Sequence, residues 1–311
     1  MTDTRPRPIR VTGLPVGMDA PADSPGPASE PPRSHRGLSA AFGPVGKYVS
    51  LIVACLFALV PIVTIFMLAF KTSAEYRSTG PLVPPSNWFN FENFVIAFTQ
   101  GNMITGFINT GIILVVSITG TVLIGTMAAY AIDRFRFRGR SLVSGLFLLA
   151  TLVPSVTTQV ATFQVINALD LFNTRWSAIL LFTGTDIVAI YIFLQFMQSI
   201  PVSLDEAAML DGASRFRIYW RIILPLLKPA IATVVIIKGI AVYNEFYIPF
   251  LYMPSQDLGV ISTSLFRFMG PFGAQWEVIA AGTILVIVPT LIAFLFLQRF
   301  IYNGLTSGAT K

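Results

Sequence analysis

The stretch Ser203-Leu-Asp-Glu-Ala-Ala-Met-Leu-Asp-Gly-Ala-Ser-Arg-Phe-Arg-Ile-Tyr-Trp-Arg-Ile-Ile-Leu-Pro-Leu-Leu-Lys-Pro229 is a polar island in an apolar chain. Its start has helix-initiating chemistry. Ser203 is placed to accept from the Glu206 amide, and the Glu206 side chain to reach back to the Ser203 amide. Gly212 follows where a helix ends in left-handed backbone, which glycine adopts without steric cost. Asp211 or Ser214 can then cap a second helix. That helix is expected to gather Phe216, Tyr219, Trp220 and Ile223 on one side, with Arg215 and Arg221 on the rim. Two short helices meeting at a glycine between membrane spans make a shape that fits a partner's groove.

The surroundings of this island set the solvent. The 311 residues are 54% hydrophobic and 12% charged, with mean hydropathy +0.71. Such a chain needs a bilayer around it. Six runs of about 20 apolar residues are candidate spans, at about 48–70, 107–132, 142–166, 176–198, 230–251 and 278–301. Residues 1–46 are rich in Pro, Ser, Gly and Asp and read as a disordered cytoplasmic tail. Residues 47–311 form the membrane domain, with 199–229 as its central loop. The fold class expected is all-α.

Charge gives the orientation. Arg5, Arg7, Arg10, Arg33, Arg36, Lys47, Arg134, Arg136, Arg138, Arg140, Arg215, Arg217, Arg221, Lys228, Arg299 and Lys311 fall on one side of such a topology. Only Lys71, Arg77, Arg175 and Arg267 fall on the other. The basic side is the cytoplasm, which puts both termini and the 199–229 loop inside. The net charge of +6 is thereby explained by the membrane rather than by nucleic acid. A single cysteine, Cys55, excludes an intrachain disulfide framework.

The island also has a family likeness. Glu206-Ala207-Ala208, three residues, Gly212, nine residues, Ile222, one residue, Leu224-Pro225 resembles the EAA loop. That loop marks the permease subunits of ABC importers that work with a substrate-binding protein. Asn109-Thr110, Ala128-Ala129-Tyr130-Ala131 and the Arg134–Arg140 run are similar to the matching regions of maltose-type carbohydrate permeases. Tyr243-Asn244-Glu245-Phe246 with Pro249 resembles that family's Trp-Asn-acid-Phe segment, with Tyr243 in place of Trp. Gly304 to Ala309 resembles its C-terminal end.

The resemblance implies a permease with six transmembrane helices, similar to type I importers. It implies that Glu206, Ala207, Ala208, Asp211 and Gly212 couple to an ATPase. The partners it implies are a second permease subunit, two ATPase subunits that bind ATP and Mg, and an extracytoplasmic binding protein. The loop from Tyr252 to Glu277 is where the family's permeases meet that binding protein.

The chain's own residues are consistent with a non-enzyme. It has no Gly-rich phosphate loop ending in Lys-Ser or Lys-Thr. Its one histidine, His35, lies in the tail, and no metal-ligand cluster is evident. Polar groups inside the spans mark an interior or a pathway. Asp186 and Lys238 both fall roughly 15 Å deep by helix rise. Either they pair or line one cavity, or each is satisfied separately. Glu245, seven residues after Lys238, is expected on nearly the same helix face, further out. Asn244 is expected to bond neighbouring helices. Tyr191, Tyr243, Phe246 and Tyr247 are candidate sugar-stacking faces, and Gln159, Gln164 and Asn167 add polar groups. Three other readings remain open: an importer of a non-sugar solute, an ion-coupled secondary transporter using Asp186, Lys238 and Glu245 as relays, and a scaffold that does not transport.

Overall fold

The computed structural model describes residues 39–184, 186–271 and 273–309, with side chains described from 46 to 296 apart from Ser155. Most of the expected tail, His35 and Lys311 lie outside the described residues. The chain divides into two compact units, Met1–Phe57 and Ala58–Lys311. Of the first unit the described part is helical. It belongs to α1 (Ser39–Ala69), which begins inside the stretch expected to be tail.

Among the described residues, three helices are long and apolar enough to cross a bilayer unbroken, at Gly46–Ala69, Met103–Arg134 and Trp276–Phe296. They lie in α1, α4 (Met103–Arg134) and α15 (Trp276–Ala309). Between the first two lie α2 (Ser73–Ser78) and α3 (Glu92–Gln100). Asn93 of α3 donates to the carbonyls of Ala69 and Lys71, both at 2.8 Å. It thereby satisfies acceptors that the end of α1 leaves open.

The other three expected spans are each broken. Helices α5 (Arg140–Thr151) and α6 (Ser155–Ala168) meet at 105°. Pro154, with no amide hydrogen and a restricted predecessor, stops α5 from continuing. Helices α7 (Arg175–Thr183) and α8 (Ile187–Gln198) meet at 41°. Gly184 ends α7, and Asp186 starts α8 by accepting from the Ala189 amide at 3.0 Å. If each bent pair counts as one span, up to six helical spans result.

The fifth expected span ends early, and this corrects the expected position of Glu245. Helix α12 (Lys228–Asn244) stops, and α13 (Tyr247–Tyr252) begins anew. Pro249 cannot donate to the Glu245 carbonyl, which instead accepts from Ser262 Oγ at 2.6 Å. The Glu245 carboxylate turns back and accepts from the Tyr247 amide at 2.9 Å. It is a cap for α13, not a member of the α12 face.

Beyond α13 the chain forms a short 3-10 turn (Gln256–Leu258), α14 (Ile261–Ser264) and a second 3-10 turn (Leu265–Phe268). Strands β1 (Met269–Gly270) and β2 (Gly273–Ala274) pair antiparallel before α15.

In the second unit, α4 is the helix on which α7, α8, α12 and α14 all pack. Lipid offers no hydrophobic drive between spans, so close approach and polar contact must supply the cohesion. The sequence of α4 provides both. A Cβ at Gly120 would lie 2.4 Å from Thr183, and one at Gly125 would lie 3.0 Å from the Phe193 ring. Asn109, Thr110, Ser117, Thr121 and Thr126 are all buried.

Candidate functional site

The polar island folds as two short helices. They are α9 (Ser203–Leu210) and α10 (Arg215–Ile218), followed by a π-helical turn (Tyr219–Ile223) and α11 (Leu224–Leu226). The expected capping box at Ser203 is absent. Val202 is already helical and its carbonyl takes the amides of Asp205 at 2.9 Å and Glu206 at 3.1 Å. Ser203 is therefore the first helical residue rather than the cap, and the Glu206 amide that it was expected to receive is already bonded to Val202.

The expected end is present. Gly212 has φ +77°. Its amide donates to Met209, and that of Ala213 to Ala208, the paired bonds of a Schellman termination. Ser214 caps α10 by accepting from the Arg217 amide at 3.3 Å.

The π turn has a physical cause in Pro225. Without an amide hydrogen there, the helix cannot continue its regular ladder, and the Leu224 amide reaches back five residues to Tyr219. This splits the aromatic face that the sequence predicts. Tyr219 and Ile223 are buried, whereas Phe216 and Trp220 are exposed, Phe216 at 65%.

The two faces of α9 differ sharply. Glu206, Ala207, Leu210, Asp211 and Gly212 are exposed, Leu210 at 90%. Glu206 has no side-chain partner among the described residues. Ala208 turns inward and joins a core with Ala129, Phe193, Ile218 and Tyr219. It does not share the outer face with Ala207. Asp205 also turns inward and is 1% exposed. Burial pushes its carboxyl above the usual carboxylate range, while Arg134 draws it back. Arg134 Nε lies 2.9 Å from Asp205 Oδ2 as an ion pair rather than an aligned hydrogen bond.

Inside the spans, Lys238 Nζ lies 2.7 Å from Asp186 Oδ2, each side chain 18% exposed. The two residues that helix rise placed at one depth do pair. Asp186 thus holds both the start of α8 and the cation of α12. Tyr243 donates to the Val286 carbonyl at 2.9 Å and ties α12 to α15. Asn244 donates to Ile240 of its own helix at 2.9 Å, so it does not bridge to a neighbour as expected. Both residues line a half-open groove of about 610 Å³ with Leu114, Gly239, Val286 and Thr290, and its walls are largely apolar. Tyr247 bonds Gln159, and Tyr191 donates to the Ser144 carbonyl at 2.9 Å.

At the far end of α4, Asn109 donates to the carbonyls of Asp257 at 2.8 Å and Gly259 at 2.9 Å. It accepts from Arg175 Nε at 2.8 Å. Next to it, Thr110 Oγ1 accepts from the Ile261 amide at 2.9 Å. The segment between α13 and α15 is therefore pinned to the start of α4.

Residues 121–305 match the family described as binding-protein-dependent transport system inner membrane component. The chain belongs to this family. The Arabinooligosaccharides transport system permease protein AraQ of Halalkalibacterium halodurans is 29% identical over 256 residues, covering 82% of this chain and 91% of AraQ. The Probable ABC transporter permease protein YurM of Bacillus subtilis is 32% identical, covering 81% and 83% of the two chains. A chain of a bacterial ABC transporter involved in import of the acidic polysaccharide alginate superposes with TM-score 0.74 at 21% identity. The match covers 85% of this chain and 98% of that one, and it shows a shared fold.

This inner membrane transport component holds several structural residues that sequence reading passed over. Asp205 and Arg134 are two of them, one inside the polar island and the other in the basic run at the end of α4. Their signal was spacing: Asp205 lies three residues before inward-facing Ala208, on the same side of α9. Asn109 is marked in the sequence by family likeness alone, because its three partners are distant in sequence. Among the described residues, no group of three or more His, Cys, Asp or Glu is placed to hold a metal ion.

Proposed function

We propose that this chain is one permease subunit of an ATP-driven importer of an oligosaccharide, with the 199–229 loop as its ATPase contact. The observation that carries the reading is the outer face of α9. There Glu206 stands exposed and unpartnered beside Ala207, above a glycine-terminated helix end. A carboxylate next to a small side chain lets a basic groove approach closely. Glu206, Ala207, Asp211 and Gly212 form the contact. Ala208 supports it from within by packing against the permease.

The chain has no phosphate-binding loop, so two separate ATPase subunits bind ATP and Mg and perform hydrolysis. A second permease completes the pathway, and an extracytoplasmic binding protein delivers solute to the segment between α13 and α15. Both termini and the 199–229 loop are cytoplasmic, as the distribution of Lys and Arg directs.

The oligosaccharide class is supported by the relatives' own descriptions, among them arabinooligosaccharides and galactooligosaccharides. Within the spans, Asp186 and Lys238 form a neutralised pair beside the pathway. Tyr243, Asn244 and Tyr247 present its polar and aromatic groups, and Glu245 acts from the cap of α13.

The test is reconstitution of the copurified complex in proteoliposomes with its binding protein and a labelled oligosaccharide panel. Uptake that requires internal ATP is the result expected. Uptake by the chain alone, or uptake driven by an ion gradient without ATP, would overturn the reading. Glu206→Lys is expected to lower ATPase copurification or to leave hydrolysis running without uptake, as measured on the purified complex.

A further inference from the structure

One face of the 199–229 loop is explained by a docking partner; the opposite face is held to α4 by directional contacts. Arg134, its side chain 3% exposed, is in contact with Asp205 Oδ2. It donates through Nη2 to the Ile200 carbonyl at 2.8 Å and through Nη1 to Asp133 at 2.6 Å. One turn back along α4, the Tyr130 hydroxyl donates to the Arg215 carbonyl at 3.4 Å. Its ring centroid lies 5.5 Å from that of Tyr219. One turn further, Thr126 Oγ1 and the Tyr219 hydroxyl are 2.8 Å apart.

Thr126, Tyr130 and Arg134 are spaced four apart and so occupy one stripe, about 12 Å long. Their partners Ile200, Asp205, Arg215 and Tyr219 all belong to the loop. Most of the loop's remaining packing is apolar, and apolar contact has no preferred direction. Hydrogen bonds and ion pairs do. A buried ion pair adds little net stability over an apolar replacement, so what this cluster supplies is geometry.

We propose that Thr126, Tyr130 and Arg134 are positioning residues that latch the loop to α4, making α4 a strut between the two ends of the subunit. The proposal rests on the reading of the loop as the ATPase contact. A displacement of α9 then reaches α4 instead of being absorbed at Gly212. At its other end α4 holds the α13–α15 segment through Asn109 and Thr110. The two anchor points, Asn109 and Arg134, are roughly 38 Å apart by helix rise. One rigid helix thereby joins the ATPase-facing loop to the segment facing the binding protein.

The experiment uses the whole complex in proteoliposomes with Arg134→Gln, Asp205→Asn and Tyr219→Phe. Tyr219→Phe keeps the ring and removes only the hydroxyl, so it tests the latch even where a charge variant fails to assemble. ATPase copurification, ATP hydrolysis and uptake are measured on each. The expected result is wild-type ATPase content with the ATP hydrolysed per solute raised about tenfold in Arg134→Gln and Asp205→Asn. The rise is smaller in Tyr219→Phe, and the double variant Arg134→Gln/Asp205→Asn is no worse than either single one. Hydrolysis and uptake falling together at a constant ratio, in the variants that assemble, would overturn the latch and leave the ATPase contact standing. A wild-type complex without ATPase subunits would instead remove the ATPase contact, and the latch with it.

Discussion

Asn109 holds three partners with one buried side chain, two through its amide hydrogens and one through its oxygen. Replacing it with Leu leaves two carbonyls and one guanidinium nitrogen to find new partners. An unsatisfied buried group costs about 1–3 kcal/mol, so Asn109→Leu is expected to lose about 3 kcal/mol. The check is thermal unfolding of the purified protein in detergent. Asn109→Asp does not rescue, because the carbonyls of Asp257 and Gly259 need donors. The Asp186–Lys238 pair makes a second residue-scale case. Lys238→Met strands a carboxylate and is expected to cost about 3–5 kcal/mol. Adding Asp186→Asn should recover most of it, since Asn also caps a helix; a double-mutant stability cycle measures the coupling. The common depth of this pair was legible in the sequence because helix rise is fixed and both positions could be counted from a membrane edge; the pairing itself was one alternative among those that depth allows. Glu245 was misplaced by the same counting, which assumed that the helix continued. The signal against it was present four residues on, in Pro249.

At the scale of elements, the apolar runs were readable and their interruptions were not. Hydropathy averages over Pro154, Gly184 and Asp186 because their neighbours are apolar, yet each stops or starts a helix within its run. The termination of α9 at Gly212 was legible because left-handed backbone strongly favours glycine. Its beginning was not, since Pro201 and Val202 lead the chain into the helix before Ser203 is reached. The packing between α4 and α8 depends on a residue with no side chain. Gly125→Val would place atoms against the Phe193 ring at 3.0 Å or less. Overpacking of this kind costs about 1–3 kcal/mol, and a lower unfolding temperature in detergent is the expected readout. Pairing Gly125→Val with Phe193→Leu should restore part of the loss.

For the molecule as a whole, the likeness to transport permeases is written in the order of its motifs, and the orientation proposed for it rests on its charges. The orientation can be checked from outside the cell. With Cys55 replaced by Ala, a cysteine introduced by Leu210→Cys should react with a membrane-impermeant thiol reagent only after permeabilisation. One introduced by Met269→Cys should react in intact cells. The reverse pattern would invert the topology. The π turn at Tyr219–Ile223 has a further implication for how such chains tolerate change. It holds one residue more than a regular helix would use over the same rise, so the surplus is absorbed inside the turn and Leu227 keeps its place in the core beyond it. A further inserted residue has no such outlet and would rotate Leu227 by about 100° about the helix axis, away from that core. Natural variation should therefore lengthen this turn less readily than it alters the identity of its residues.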